Sequence, residues 1–136
     1  FGYLDILVNN SASGVNRPAT DLTAHHWDWT LNVNARGAWL CARAALPLMQ
    51  KRGGGAVVNV SSIIGLAPAP GMVGYSVSKA AVHSFSQGLR AELAARTRQR
   101  ILQPARRRAG VAIAHWRTPA NPHCPMGRPC STPADD

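Results

Sequence analysis

Cysteine is scarce in this sequence of 136 residues, which contains only Cys41, Cys124 and Cys130. Their odd number, without CxxC spacing or a partnering HxxxH motif, indicates neither a zinc site nor a disulfide framework, so we expect free thiols and no metal. Long apolar runs are also missing, since no stretch of about 18 apolar residues occurs that could span a membrane. The first residues lack the basic segment and apolar stretch of a signal peptide. We therefore expect a cytoplasmic protein without a membrane partner.

Acidic residues are few: six Asp and Glu stand against fifteen Lys and Arg, which gives a formal net charge of +9. Such an excess ordinarily suggests a nucleic-acid partner. Up to Ala95, however, seven basic residues stand against four acidic ones, whereas eight arginines and only two aspartates follow. The basic charge therefore belongs to the C-terminal tail, where Trp116 is the lone aromatic residue, and we expect no nucleic-acid binding.

Hydrophobic residues make up 46% of the chain, as in globular domains, and their spacing predicts alternating strands and helices. Residues 3–8 are typical of a strand that ends in a polar turn, and residues 56–60 are typical of a buried parallel strand. Apolar residues three or four apart predict helices over residues 23–49, capped by Asp21 or Thr23, and over residues 74–95. This order of elements indicates an α/β layered domain.

The regular pattern ends after Ala95. Residues 96–136 contain Arg106-Arg107-Arg108, scattered prolines and no sustained period of 2 or 3.6 residues. We therefore predict two regions, a catalytic domain over residues 1–95 and an irregular or disordered tail over residues 96–136.

The second predicted helix carries a candidate catalytic pair. Tyr75 and Lys79 are four residues apart, which places both side chains on one face near the N-terminal end of the helix. Ser62 precedes Tyr75 by 13 residues and follows the predicted strand 56–60. Open α/β sheets bind ligands at this end of their strands. Asn34 is a further candidate and lies in the first predicted helix.

Four segments of the sequence resemble, in order and spacing, the motif series of the short-chain dehydrogenase/reductase family. They are Asn9-Asn10, residues 34–37 (Asn-Ala-Arg-Gly), residues 59–62 (Asn-Val-Ser-Ser) and residues 75–81 (Tyr-Ser-Val-Ser-Lys-Ala-Ala). The resemblance covers about residues 1–95. It implies a partial Rossmann-like, doubly wound parallel sheet that corresponds to the C-terminal half of the family's domain. It also implies an oxidoreductase that uses NAD or NADP to reduce a carbonyl or oxidise an alcohol, in a homo-oligomer formed through the two long helices.

The resemblance also implies a role for each candidate. Tyr75 is expected to be the general acid that protonates a substrate carbonyl oxygen, and Ser62 to orient that carbonyl. Lys79 is expected to stabilise the phenolate by its charge and to bind the nicotinamide ribose. Asn34 is expected to hold a water in a proton relay and to distort the helix around it.

Asn9 and Asn10 match the family's Asn-Asn-Ala-Gly turn and are expected to lie against the cofactor and to steady the central strand. The next two residues, Ser11 and Ala12, depart from the Ala-Gly of that turn. The departure leaves the detail of the cofactor contact open.

Residues 9–55 also resemble one subgroup, the NADPH-dependent enoyl-acyl-carrier-protein reductases of the third type, through residues 9–15, Trp27-Asp28-Trp29 and the three glycines at 53–55. This favours NADPH and offers an acyl thioester as an alternative substrate. That subgroup, however, is expected to have six residues between its tyrosine and lysine, with the tyrosine at the position of Met72. Here three residues separate Tyr75 from Lys79, so we favour carbonyl chemistry over reduction of a conjugated C=C bond. A non-catalytic oligomerisation module is the third alternative.

Two features of the family are missing. The glycine-rich phosphate loop, G-x-x-x-G-x-G, does not occur, and Gly14 alone is no substitute for it, so we expect this piece to be inactive. After the Tyr/Lys helix the family has a strand and a Pro-Gly pair, where this chain has residues 97–102 (Thr-Arg-Gln-Arg-Ile-Leu). A reading-frame shift near Arg96 would explain the change. Half of a doubly wound sheet is also expected to expose apolar surface and an unpaired strand edge.

Overall fold

A computed structural model describes residues 2–97 and 111–117, with side chains described up to residue 94. In chain order the elements are strand β1 (Ile6–Asn9), a 3-10 turn (Ala19–Asp21), helix α1 (Ala24–Leu31), a π-helical segment (Asn32–Arg36), helix α2 (Gly37–Lys51), strand β2 (Gly54–Val60), a second 3-10 turn (Ile63–Gly65), helix α3 (Val73–Thr97) and strand β3 (Val111–Arg117). The two strands and the helices predicted up to residue 95 are all present.

The helical stretch predicted over residues 23–49 is present but not uniform. Thr23 caps it, since its Oγ1 accepts from the backbone N–H of His26 at 3.2 Å and its own N–H donates to His26 Nδ1 at 3.4 Å. This is a capping box, and Asp21 lies in the preceding 3-10 turn instead. The π-helical segment Asn32–Arg36 then separates α1 from α2, which is the helix distortion expected around Asn34. Single π-helical turns of this kind are frequent at functional sites.

Strands β1 and β2 form the predicted parallel pair, with Ile6 opposite Ala56 and Asn9 opposite Asn59. Because the pair is parallel, the carboxyl ends of both strands lie on the same side of the sheet, and the polar residues that follow them meet there. The order of the sheet is β1-β2-β3. The α/β class with a Rossmann-like parallel pair is therefore confirmed.

Strand β3 corrects the prediction of an irregular tail. Residues 111–117 pair antiparallel with β2, from Val60 opposite Val111 to Gly54 opposite Arg117. The segment is rich in β-forming residues, and the second edge of β2 offers it a row of backbone N–H and C=O groups. Helix α3 also extends two residues into the predicted tail, to Thr97. The rest of that tail, with Cys124 and Cys130, lies outside the described residues.

The core lies between one face of the sheet and helices α2 and α3. Its buried members are apolar residues of β2 and the two helices: Ala42, Ala45, Met49, Val57, Leu89 and Leu93. The opposite face of β1 is open, with Ile6 60% and Val8 56% exposed. This confirms the expectation of exposed apolar surface on part of the sheet.

Among residues 2–97 and 111–117, no helix is both long enough and apolar enough to cross a membrane. The same residues contain no group of three His, Cys, Asp or Glu side chains that could hold a metal ion. Cys41 is exposed and unpaired.

Candidate active site

Tyr75 and Lys79 occupy successive turns at the start of α3 and meet as the four-residue spacing predicts. The ammonium of Lys79 lies 5.6 Å from the centroid of the Tyr75 ring. Nζ also donates a hydrogen bond of 2.9 Å to the carbonyl oxygen of Val60, the last residue of β2. The pair is thus held at the end of the central strand, with Lys79 only 3% exposed and Tyr75 half-buried.

Burial lowers the pKa of the Lys79 ammonium from its ordinary value of 10.5, because the charged form loses solvation inside the protein. Val60 is the acceptor that the described residues provide for this ammonium. An ammonium has three N–H donors, so two remain for a ligand.

Two serines follow β2 and join the strand to α3. Ser61 Oγ donates to the backbone carbonyl of Lys79 at 2.9 Å. Ser62 Oγ accepts from the backbone N–H of Ile64 at 3.4 Å, and no hydrogen bond within the described part of the chain uses its hydroxyl hydrogen, which can therefore bond a ligand oxygen. The second 3-10 turn then packs so closely on α3 that a Cβ at Gly65 would lie 2.7 Å from the carbonyl carbon of Lys79.

Asn34 is 3% exposed and lies in the π-helical segment, where its side chain joins two other parts of the site. Its Oδ1 accepts from the backbone N–H of Ser13 at 2.8 Å, and its Nδ2 donates to the Ser13 carbonyl at 2.7 Å. The same Nδ2 donates to Ser78 Oγ at 2.8 Å, and that hydroxyl donates to the backbone carbonyl of Tyr75 at 2.7 Å. Both amide hydrogens of Asn34 are therefore used within the protein.

Asn9 braces the framework beneath the site. Its Nδ2 donates to Asn59 Oδ1 at 2.7 Å and to the Ala38 carbonyl of α2 at 3.3 Å. Asn59, fully buried on β2, donates in turn to Ser86 Oγ on α3 at 2.8 Å. Asn9 thereby joins both parallel strands to both long helices. Asn10 is exposed and is not part of this chain of hydrogen bonds.

Among the residues of the site that were not predicted from the sequence are Ser13, Gly14 and Ser78. Ser13 binds Asn34 through its backbone N–H and C=O, which any residue except proline could supply, so its identity carries no signal. Gly14 lies against the Tyr75 ring, where a Cβ would approach Cδ2 to 2.8 Å. Ser78 lies between Tyr75 and Lys79 in sequence, and its side chain, 0% exposed, points inward. The spacing of Ser78 from Tyr75, three residues in a helix, was the signal that could have identified it.

Comparison with known proteins agrees with this arrangement. The sequence profile described as short chain dehydrogenase matches residues 1–105. Over 98 residues the chain is 45% identical to Dehydrogenase/reductase SDR family member 4 of Homo sapiens. The match covers 70% of this chain and 34% of that protein. Over 94 residues it is 39% identical to an uncharacterized oxidoreductase of Staphylococcus aureus (strain MRSA252), which covers 69% of this chain and 41% of that protein.

A solved structure shares the fold as well as the sequence pattern. The crystal structure of a short-chain dehydrogenase from Streptomyces avermitilis superposes with a TM-score of 0.65 at 35% sequence identity, and the match covers 69% of this chain and 35% of that one. The chain therefore spans about two fifths or less of the length of these relatives. Because the profile matches most of the sequence, the chain belongs to the short-chain dehydrogenase family.

Proposed function

We propose that this chain carries the catalytic centre of an NAD(P)-dependent oxidoreductase that reduces a carbonyl compound or oxidises the corresponding alcohol. The observation that carries the proposal is the placement of Lys79 Nζ 5.6 Å from the Tyr75 ring centroid at the end of β2. A cation near a phenol stabilises the negative charge that proton transfer leaves on the phenol oxygen. The family relationship supports the same chemistry.

In the direction of reduction, Tyr75 gives its hydroxyl proton to the substrate carbonyl oxygen, and in the direction of oxidation its phenolate removes that proton from the alcohol. Ser62 donates a hydrogen bond to the same oxygen and orients it toward Tyr75. Lys79 stabilises the phenolate that remains after proton transfer. General acid catalysis of this kind contributes roughly 10² to 10⁴ in rate.

Asn34 acts mainly through position in this proposal. Its two amide hydrogens bind Ser13 and Ser78. The family resemblance implies a relay water at this residue. Because the amide hydrogens are already used, that water is held by the remaining lone pair of the side-chain oxygen or by the backbone of Asn34. The π-helical turn at Asn34 supports this, because the altered hydrogen-bond pattern changes which backbone groups are paired.

The residues present fit the ribose end of a nicotinamide cofactor, which supplies or accepts the hydride when bound. Lys79 has two N–H donors beyond its bond to Val60, and these suit ribose hydroxyls. Asn10 is exposed after β1 and is proposed to contact the cofactor, whereas Asn9 supports it indirectly by bracing the strands. No glycine-rich phosphate loop occurs in the sequence. The preference for NADP over NAD rests on resemblance alone. A cytoplasmic location is likewise a prediction from the sequence.

Carbonyl substrates are favoured over enoyl thioesters because the tyrosine that faces Lys79 is Tyr75, one helical turn away. Met72, at the position expected for the tyrosine of enoyl reductases, offers no proton. A thioether sulfur cannot act as a general acid, so the enoyl alternative lacks its proton donor here.

The test uses a chimera in which residues 2–97 replace the matching segment of the Staphylococcus aureus relative, so that the rest of the domain is supplied. We expect NADPH or NADH oxidation with a panel of ketones, and little with crotonyl thioesters. Tyr75→Phe is expected to lower kcat by roughly 10² to 10⁴. Tyr3→Phe, the matched control at the chain's only other tyrosine, is expected to retain full activity. Turnover of crotonyl thioesters but not ketones would overturn the choice of substrate, and equal loss in both variants would overturn the role of Tyr75.

We further propose that copies of the chain associate through α2 and α3. A groove of about 500 Å³ lies between these helices and is lined by Trp39, Leu46, Phe85, Gly88 and Leu89 among others. Trp39 is 44% exposed, so apolar surface is open to a partner there. Within the described residues Gly88 faces open space, since apart from its chain neighbours and the backbone of its own helix no heavy atom lies within 4 Å of the point that a Cβ would occupy there. Gly88→Arg is therefore expected to fold and to lower the mass measured by light scattering, whereas Gly88→Ala keeps it. An unchanged mass in Gly88→Arg would contradict association through this groove.

A further inference from the structure

The loop after β1 carries a glycine that touches the ring of Tyr75. A Cβ added to Gly14 would lie 2.8 Å from Tyr75 Cδ2 and 3.3 Å from both Cβ and Cγ of that side chain. Approaches under 3.0 Å are essentially never observed for real Cβ atoms, so either the ring or the loop must shift. The φ angle of Gly14 is not among the positive ones, so the backbone itself does not require glycine here. Glycine is required at this position because the Tyr75 ring occupies the space that a side chain would need.

The loop cannot easily retreat from the ring, because Asn34 holds it. The backbone N–H and C=O of Ser13 both bond the Asn34 amide, at 2.8 and 2.7 Å. Asn34 is itself 3% exposed within the π-helical segment. These two bonds fix the two peptide groups on either side of the Ser13 Cα. Gly14, the next residue, is therefore held against the ring by a rigid neighbour.

The helix side of the ring is fastened to the same amide. Asn34 Nδ2 donates to Ser78 Oγ at 2.8 Å, and Ser78 Oγ donates to the Tyr75 carbonyl at 2.7 Å. Ser78 is 0% exposed. The hydrogen bonds thus run from the loop through Asn34 to the backbone of Tyr75. The contact between Gly14 and the Tyr75 ring joins the same loop to the same residue a second time.

We propose that Gly14 is a positioning residue for Tyr75: together with Ser78 it fixes the direction of the tyrosine ring, and with it the hydroxyl that transfers the proton. The inference rests on the proposed catalytic role of Tyr75 and adds the residue that sets its orientation. The absence of a side chain at Gly14 leaves the ring the space it occupies. Because a misplacement of about 1 Å can cost about 10²-fold in rate, a methyl group at this position has a large effect for its size.

The test follows the two tyrosines of the chain, Tyr3 and Tyr75, by NMR of the full chain labelled with ¹³C in its tyrosine rings. Gly14→Ala is expected to shift the Tyr75 ring signals and leave those of Tyr3 unchanged. Ser13→Ala, in the same loop, keeps the backbone bonds to Asn34 and is expected to leave both rings unchanged. Gly88→Ala, a glycine with open space around it, is expected to do the same.

Unmoved Tyr75 signals in a folded Gly14→Ala chain would overturn the proposal, and so would an equal shift in Ser13→Ala. If Gly14→Ala does not fold, Ser78→Ala decides, since it removes the bond to the Tyr75 carbonyl while the loop keeps its own. A shift of the Tyr75 signals supports the proposal, and none overturns it. These signals do not depend on activity. The two proposals can fail separately. If Gly14→Ala moves the Tyr75 signals but Tyr75→Phe leaves the chimera active, the catalytic role of Tyr75 is refuted while the role of Gly14 in orienting the ring stands.

Discussion

Removal of the Ser86 hydroxyl tests the polar chain that joins the two parallel strands to α3. Ser86 Oγ accepts a hydrogen bond of 2.8 Å from Asn59 Nδ2 and donates one of 2.8 Å to the Val82 carbonyl. Asn59 is fully buried and its Oδ1 already accepts from Asn9. Ser86→Ala therefore leaves one amide N–H of Asn59 in the core without an acceptor.

The magnitude follows from two opposing effects. A buried donor left without a partner costs about 1–3 kcal/mol. Alanine is a better helix former than serine, which returns about 0.5 kcal/mol. We expect Ser86→Ala to lower the free energy of unfolding by about 0.5–2.5 kcal/mol. With a urea m-value of about 2 kcal/mol/M, the midpoint of unfolding falls by about 0.2–1.2 M.

Urea unfolding followed by circular dichroism measures this loss. Ser84→Ala is the matched control, since Ser84 lies on the same helix and is exposed, and it is expected to leave stability unchanged or slightly raised. A double-mutant cycle with Asn59→Ala isolates the pair, for which we expect a coupling energy of at least about 0.5 kcal/mol. Equal midpoints for Ser86→Ala and Ser84→Ala, or additive effects in the cycle, would refute the reasoning.

Three further predictions concern the packing of the core and the packing and charge of the site. Gly65→Ala places a Cβ 2.7 Å from the Lys79 backbone, and a helix backbone cannot move aside as the end of a side chain could. We expect this variant to lower the free energy of unfolding by about 1–3 kcal/mol, measured by thermal melting. Gly88→Ala, in open space, is expected to raise it by about 0.4–1 kcal/mol instead. Met49→Ala removes a core side chain that is 0% exposed, and a loss of about 2–5 kcal/mol is expected in urea. Burial lowers the pKa of Lys79 below 10.5 in the folded chain. Between the lowered pKa and 10.5, the unfolded chain therefore binds more protons than the folded one. The free energy of unfolding rises with pH across that interval. Lys79→Met, compared in a Tyr75→Phe background that removes the neighbouring phenol, is expected to flatten this rise in urea titrations at stepped pH, and an unchanged slope would contradict it.

Local chemistry predicted much of the fold and the site. The cap at Thr23 and the faces of the helices follow from hydrogen bonding and periodicity within a few residues of the chain. Tyr75 and Lys79 meet because a helix brings residues four apart together. The helix distortion at Asn34 was an expectation from family resemblance rather than from its neighbours in sequence, and the π-helical segment confirms it.

The remainder depends on contacts between residues distant in sequence. Strand β3 pairs with β2, 50 or more residues earlier, and its β-forming residues lie in an arginine-rich tail without sustained periodicity, so they did not predict a strand by themselves. The bond between Asn59 and Ser86 spans 27 residues. Gly14 is required by the ring of Tyr75, 61 positions away, and not by its own φ angle. Such partners are fixed only when the chain has folded.

The residues of the site also hold the fold together, so activity and stability are coupled here. Lys79 binds the end of β2, Ser61 binds the Lys79 backbone, and Asn34 binds both the Ser13 loop and α3 through Ser78. A variant at any of them loosens the framework as well as the chemistry, and a loss of activity alone does not assign it a catalytic role.

Tyr75 is different, since within residues 2–97 and 111–117 its hydroxyl takes part in none of the hydrogen bonds that fasten the site. Removal of that oxygen leaves the ring, its contact with Gly14 and the bond to its backbone carbonyl in place. Tyr75→Phe is therefore expected to change the free energy of unfolding by no more than about 0.5 kcal/mol. The same substitution removes the group that is proposed to transfer the proton. Of the substitutions at this site, it is the one that separates chemistry from stability, because a large loss of rate at unchanged stability has no explanation in the packing.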